Sequence, residues 1–483
     1  MKSRLMLTTA AMLLGAFLLS PFLGKANPAT ASSAGAEPGP STIYLPLVMR
    51  NFPLQTLFGA EMAQLTSGGG LDQMAAANIS WTRRNAVLWS AVEPDEGERN
   101  WSALASLESE LQNASSKGMR VILIVRSTPQ WARKIAGPGS YCGPIHQNKL
   151  PAFGNFMRAL VARYSVPPYN VKYWELWNEP DVDPSLVPAD SVFGCWGDQN
   201  DDYYGGGYYA EMLKAAYPQI KAADPQAQVL IGGLLLDCDP GTVCVGDRAP
   251  KFLEGILRRN GANDGGNYFD GANFHAYDYY QGQSGQYSNP NWQSAWNTTG
   301  PVLIAKAQFI QGLLNTYGVS GKFLMNTEAA LICPGCSSND PTYETTKAYY
   351  VAQAYAAAIA QGLRANIWYS VLGWRNSGLL NPAPDLSPRP AYTAFQFARN
   401  ELRDATFAGE ITASDIGGAS GVKGYKFHRG DRRIWVLWSL DGNTHSISLS
   451  GLPLAAWDAL GNSVSPAASM NVSLKPLYLE WNP

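Results

Sequence analysis

Two carboxylates in this chain stand where apolar strands stop. Tyr173-Trp174-Glu175-Leu176-Trp177-Asn178-Glu179-Pro180 opens as an apolar strand and is broken by its proline, so Asn178 and Glu179 are delivered together at a rim. Lys322-Phe323-Leu324-Met325-Asn326-Thr327-Glu328 is a second apolar strand, and it too ends in a carboxylate. Carboxyl groups held at the ends of different strands can divide the work of proton donor and nucleophile. A surface turn after an ordinary buried strand would show the same local residues. The other acidic groups read differently. Glu175 lies inside its strand as an interior or packing carboxylate, Asp181 and Asp183 read as solvated or capping loop groups, and Glu211 and Glu254 fall on helices.

The elements that must position these residues alternate. Strands are predicted at Thr56–Ala60, Ile79–Arg84, Arg120–Val125, the Tyr173 stretch, Gln228–Ile231, Gly271–His275, Lys322–Glu328 and Ala365–Ser370. Helical spacing fills the intervals, as in Trp101–Lys117, where Leu104, Leu107 and Leu111 share one face. Arg120-Val121-Ile122-Leu123-Ile124-Val125 is the continuous apolar run of a strand buried on both faces. Eight such units over about 350 residues predict an α/β fold, a TIM (β/α)8 barrel with long loops. An open doubly wound sheet is the alternative, but no Gly-rich phosphate loop follows strand one. After about Asp404 the pattern changes to short β runs separated by turns, which predicts a small C-terminal β-sandwich. The expected division is 1–31 signal peptide, 32–53 linker and short strand, 54–402 barrel and 403–483 sandwich.

With these residues and elements in place, the chain resembles the retaining glycoside hydrolases of clan A, the (β/α)8 enzymes that include families 5 and 39. There an Asn-Glu pair ends the fourth strand and the nucleophile stands at the seventh, which implies Glu179 as general acid/base and Glu328 as nucleophile. The resemblance implies that Asn178 bonds the sugar 2-hydroxyl. It also implies that Tyr277, in His275-Ala276-Tyr277, donates to the nucleophile, although His275 also reads as a satisfied core histidine. Arg83-Arg84 with Trp89, Glu93, Pro94 and Gly97 resembles a clan stretch whose arginine supports the nucleophile. Arg84 is the expected residue, and the doubled arginine leaves one position of ambiguity. Trp131 in Ser127-Thr128-Pro129-Gln130-Trp131 lines the cleft or packs under a loop. Trp374 matches the sugar-stacking tryptophan, with Trp368 and Tyr369 as competitors. The implied chemistry is double displacement at carboxyl groups about 5–5.5 Å apart.

Composition bounds the alternatives. The net charge of −2 leaves no nucleic-acid footprint. Fifteen Trp and 24 Tyr suit a neutral ring-shaped ligand, and equally a large core. Lys2, Arg4, the apolar run Leu5–Leu19 and Ala29-Thr30-Ala31 read as an export signal, with an uncleaved anchor as the alternative. The expected chain is therefore secreted, a monomer, and free of the membrane after cleavage. Six cysteines in an exported chain predict the pairs Cys142–Cys195, Cys238–Cys244 and Cys333–Cys336 in loops on the catalytic side. A zinc site at Cys333-Pro-Gly-Cys336 lacks a second ligand pair. No cofactor or metal is expected, and the expected partner is a carbohydrate. A non-catalytic carbohydrate-binding or cell-surface protein on a barrel is the competing class. The sugar, and whether the aromatic loops carrying Trp196, Tyr203, Tyr204, Tyr208, Tyr279, Tyr280, Trp292 and Trp296 form an open cleft or a lid, stay open.

Overall fold

The computed structural model describes residues 56–135, 141–188, 190–240, 250–258 and 264–482. The signal, the linker with its Ile43–Val48 run, and Cys244 lie outside them. Among the described residues, eight parallel strands close a barrel: β1 Phe58–Ala60, β2 Trp81–Leu88, β3 Arg120–Arg126, β4 Tyr173–Asn178, β5 Gln228–Gly233, β6 Gly271–Tyr280, β7 Phe323–Ile332 and β8 Ala365–Trp368. β8 pairs with β1 through Phe58 and Asn366, and β5 meets β6 at Leu230 and Gly271, which completes the ring.

Helices cover the outside: α1 Leu71–Ala76, α2 Ala105–Ser116, α3 Leu150–Tyr164, α4 Gly206–Ala223, α5 Lys251–Leu257, α6 Leu303–Thr316, α7 Pro341–Ala360 and α8 Pro390–Glu401. α3 shows why they form. Phe153, Phe156, Met157, Leu160, Val161 and Tyr164 recur at three- and four-residue spacing and are all buried, so one stripe faces the barrel. α7 starts where the Asp340 carboxylate accepts the Thr342 and Tyr343 amides, with Pro341 in the first turn.

Inside the barrel the period-2 alternation of the strands stacks two kinds of layer. Trp81, Ile122, Leu230, Met325, Ala365 and Ile367 form an apolar plug. One step further along the strands stand polar groups with no exposure at all, among them Arg83, Glu175 and Asn273. Burying them needs partners, and those partners make the site described below.

Two strands exceed the sequence reading. β6 continues past His275 to Tyr280 and β7 past Glu328 to Ile332, because they pair with each other up to Tyr279 and Ile332. Glu328 is thus a residue within β7 rather than its last.

The C-terminal region is a sandwich of two antiparallel sheets. The larger runs in the order Thr406–Glu410, Val422–Arg429, Arg432–Ser439, Leu477–Trp481, Ala455–Asp458 and Ser463–Val464, and the smaller pairs His445–Ser448 with Ser469–Val472. Alternation splits the larger sheet's faces. Tyr425, Phe427, Ile434, Val436, Trp438 and Tyr478 join the barrel's own core. Leu437, Leu477 and Leu479 turn the other way, onto Ile447 and Met470 of the small sheet. Cys142–Cys195 ties the loops after β3 and β4, with Cα atoms 5.5 Å apart, and Cys333–Cys336 closes the loop after β7.

Candidate active site

The site is built around one cation. Neighbouring residues of a strand face opposite sides, so only one of Arg83 and Arg84 can enter the barrel. It is Arg83. Arg84 points outward to α2 and pairs with Glu110 at 2.7 Å, which removes the expected residue from the site. Every N–H of the Arg83 fork is taken. Nε donates to Glu175, Nη2 to Glu175 at 2.6 Å and to Asn178 Oδ1 at 2.6 Å, and Nη1 to Glu61 at 2.9 Å and to Glu328 at 2.5 Å. Three carboxylates and one amide therefore share a fully buried guanidinium.

The two rim carboxylates meet above it. One carboxylate oxygen of Glu179, one of Glu328 and a ring nitrogen of His275 lie within 4.8 Å of one another. His275 Nδ1 is 2.8 Å from Glu179 Oε1 and 3.5 Å from Glu328 Oε2. The Tyr277 hydroxyl donates to Glu328 Oε2. Glu179 directly follows β4, and both it and Trp177 have positive φ, 47° and 72°. Such values are costly for side chains of this size, and here they turn the end of the strand toward the axis. Gly233 on β5 has to be glycine, because a Cβ there would stand 2.1 Å from His275 Nε2.

The electrostatics separate the two carboxyls. Burial pushes Glu179 far above the usual carboxylate range, and the charge of Glu328 adds to the push. Burial also raises Glu328, but the Arg83 guanidinium and the Tyr277 hydroxyl both favour its ionised form. The pair therefore keeps its proton on Glu179 and its charge on Glu328. Burial, with Arg83 and Lys306 nearby, holds His275 well below its ordinary value, so the imidazole is neutral.

The remaining expected residues fall in different places. Trp374 is 40% exposed, and its ring lies 5.4 Å from Tyr277, the donor to Glu328, and 5.9 Å from Tyr369. Trp368 is fully buried and donates to the Ser377 carbonyl, so it offers no face to a ligand. Trp131 sits edge-on to Trp89 and donates to the Glu93 carbonyl, under the loop after β2. Of the loop aromatics, Trp196, Tyr204 and Trp292 are buried, whereas Tyr203, Tyr208, Tyr279, Tyr280 and Trp296 are partly exposed. Asp181 is not solvated: it accepts the Leu235 and Leu236 amides, and burial lifts it to about 6.

Two residues of this site escaped the sequence reading. Glu61 follows the three-residue β1 and is held to about 8, chiefly by burial, with Arg83 opposing. Lys306 of α6 reaches under the site and donates to the Leu235 and His275 carbonyls. Glu61 does carry the signal that marked Glu179, a carboxylate straight after a short apolar strand. Lys306 carries none.

No protein-family model matches this chain, and no curated protein matches it. Solved structures do. A family 39 glycoside hydrolase from the gut symbiont Bacteroides cellulosilyticus WH2 superposes with a TM-score of 0.63 at 18% identity, covering 88% of this chain and 81% of its own. A GH30 endoxylanase from Clostridium papyrosolvens C71 gives 0.57 at 13% identity, covering 89% and 98%. CelM2, a bifunctional glucanase-xylanase from a metagenome library, gives 0.53 at 14% identity, covering 89% and 96%. The chain thus shares the barrel fold of these clan A enzymes, at identities that speak for the fold alone.

Proposed function

We propose that this chain is a secreted retaining glycoside hydrolase that cleaves β-glycosidic bonds of a poly- or oligosaccharide by double displacement. The observation that carries the reading is the Glu179–Glu328 pair, with oxygens within 4.8 Å and the proton and the charge on different members. That close approach supports direct attack on the anomeric carbon, as in retaining pairs about 5–5.5 Å apart, over an inverting pair, whose carboxyls stand about 6.5–9.5 Å apart.

In the first step Glu179 gives its proton to the glycosidic oxygen, and the aglycone leaves as an alcohol. Glu328 attacks the anomeric carbon and forms a glycosyl ester. Tyr277 and Arg83 hold that carboxylate ionised and aimed. In the second step Glu179, now ionised, takes a proton from water. The water attacks the same carbon, and Glu328 departs as carboxylate. A neutral His275 with its proton on Nδ1 donates to Glu179 Oε1 and leaves the acid proton on Oε2. Asn178, fixed by Arg83, is set to meet the sugar 2-hydroxyl, and the exposed ring of Trp374 offers a stacking face. The Cys142–Cys195 and Cys333–Cys336 disulfides agree with export. The similar folds described as xylanase and glucanase agree with a carbohydrate substrate.

The test separates the two roles. Glu328→Ala abolishes turnover of every substrate, because no ester forms. Glu179→Ala keeps the first step on a dinitrophenyl glycoside, stalls at the ester, and regains turnover with azide to give a β-glycosyl azide. Azide rescue of Glu328→Ala with an α-product would exchange the roles. Changes under about tenfold in both variants would end the glycosidase reading.

A further inference from the structure

The double displacement leaves two carboxylates on the Arg83 fork unused, Glu175, whose side chain is fully buried, and Glu61, whose side chain is not. The Glu61 backbone is pinned on both sides, since its N–H donates to the Trp368 carbonyl and its carbonyl accepts from Val371. It cannot drift from the end of β1. One side-chain oxygen, Oε2, accepts from Arg83 Nη1, the same nitrogen that donates to Glu328. Glu61 and the nucleophile are therefore neighbours across one nitrogen, whereas Asn178 and Glu175 share the other. The second oxygen of Glu61, Oε1, has no hydrogen-bond partner among the described residues, and the side chain keeps 12% of its surface open.

We propose that Glu61 reads the glycone: its free carboxyl oxygen hydrogen-bonds a ring hydroxyl beyond C2 of an uncharged sugar seated against Glu328. This rests on the glycosidase reading and deepens it. The side of the sugar follows from the fork. Asn178 serves the Nη2 side, where the 2-hydroxyl is expected, and Glu61 serves the Nη1 side, so it meets a hydroxyl further round the ring. The neutrality of the sugar follows from counting charges. Arg83 is the cation among the carboxyl groups of Glu61, Glu175 and Glu328, and all of its N–H groups are spent on protein oxygens. Lys306 is buried and engaged by two carbonyls, and His275 is neutral. Arg375 lies over the Trp374 ring at the rim, 4.3 Å from its centre, away from the fork. A uronate or sulfated glycone would bring a further anion beside Glu328 with no cationic donor free to pair with it. Burial holds Glu61 to about 8, so at neutral pH its carboxyl can donate as well as accept.

The experiment is a substrate-by-variant cycle. Aryl β-glycosides with mono- and disaccharide glycones are assayed together with their 3-deoxy and 4-deoxy analogues and the matching uronides, on the wild type, Glu61→Ala and Glu61→Asp. Glu61→Asp keeps the carboxylate but withdraws it by one methylene, and it serves if the alanine variant fails to fold by circular dichroism. The wild type should lose about tenfold to a hundredfold in kcat/KM when the contacted hydroxyl is removed. Both variants should lose a similar factor on the parent sugar and should no longer distinguish it from that deoxy analogue. Glu61→Gln, which keeps a donor and an acceptor, should restore most of the discrimination. Variants that still show every deoxy penalty in full would overturn the role of Glu61 while leaving the glycosidase standing. A wild type that prefers uronides would overturn the uncharged glycone. A wild type inert on the whole panel would remove the glycosidase reading, and this inference with it.

Discussion

Replacing Arg83 by lysine tests the centre of the site with the charge conserved. The fork commits five N–H groups to Glu61, Glu175, Asn178 and Glu328. An ammonium has three N–H groups and no planar fork, so at least two of these contacts are lost. Charged hydrogen bonds contribute roughly 1.5–3 kcal/mol each, so about 3–6 kcal/mol is at stake. If half of it falls on the Glu328 side, kcat/KM drops about 10- to 100-fold. The pH profile is the more specific readout. Arg83 favours ionised Glu328, so weakening it raises the pKa of that carboxyl. On the proposed mechanism Glu328, as nucleophile, then takes a proton at higher pH, and the acid limb of kcat/KM moves up. The alkaline limb, which Glu179 sets, stays close to its place. The assay is kcat/KM against pH on an activated aryl glycoside, with the melting temperature recorded to report the stability share. An Arg83→Lys variant within threefold of wild type, with an unmoved acid limb, would refute the argument that this fork holds the nucleophile ionised.

Other outcomes follow from the same structure. Trp374→Ala should raise KM about two- to tenfold, from a stacking contact of roughly 0.5–1.5 kcal/mol. Its melting temperature should hardly move, because the ring is 40% exposed; an unchanged KM would remove it from the binding face. Glu61, Asp181 and Asp278 are lifted by burial to about 8, 6 and 7, so folding takes up protons between about pH 4 and 8. Stability therefore falls as pH rises through that window, and a melting temperature higher at pH 8 than at pH 5 would contradict it. Cys142→Ser with Cys195→Ser opens a loop of sequence separation 53, which chain entropy values at about 4 kcal/mol, read as a lower denaturation midpoint.

The barrel was legible because its strands are apolar runs bounded by turns, and each helix carries a stripe. Tyr173–Asn178 and Arg120–Arg126 could be placed within a residue or two for that reason. Side-chain parity was not legible. A doubled arginine on a strand buried on both faces gives no local hint of which one turns inward, and only the pairing of β2 with β3 settles it. The ends of β6 and β7 were also hidden, because each extends only through the other. Glu61 was overlooked because a three-residue strand is a weak signal. The aromatic loops could not be read further for a physical reason. A tryptophan or tyrosine serves a packed core and a sugar face equally well, and the sequence does not distinguish the two uses.

The larger C-terminal sheet lends one whole face to the barrel's core, and this bears on how the protein can be inherited and rebuilt. Phe397 of α8 meets Tyr478 at 5.0 Å and Trp457 at 6.0 Å, and Arg429 donates to the carbonyls of Asn400 and Glu401. Appendages joined only by a tether can be shuffled between enzymes without cost to either side. This one cannot. Cutting the chain near Asp404 would strip large apolar side chains from both halves, and the barrel would meet water along a flank it never evolved to expose. Recombination should therefore pass the two on together, and a graft of this site onto another scaffold has to carry the sheet or redesign the flank it covers.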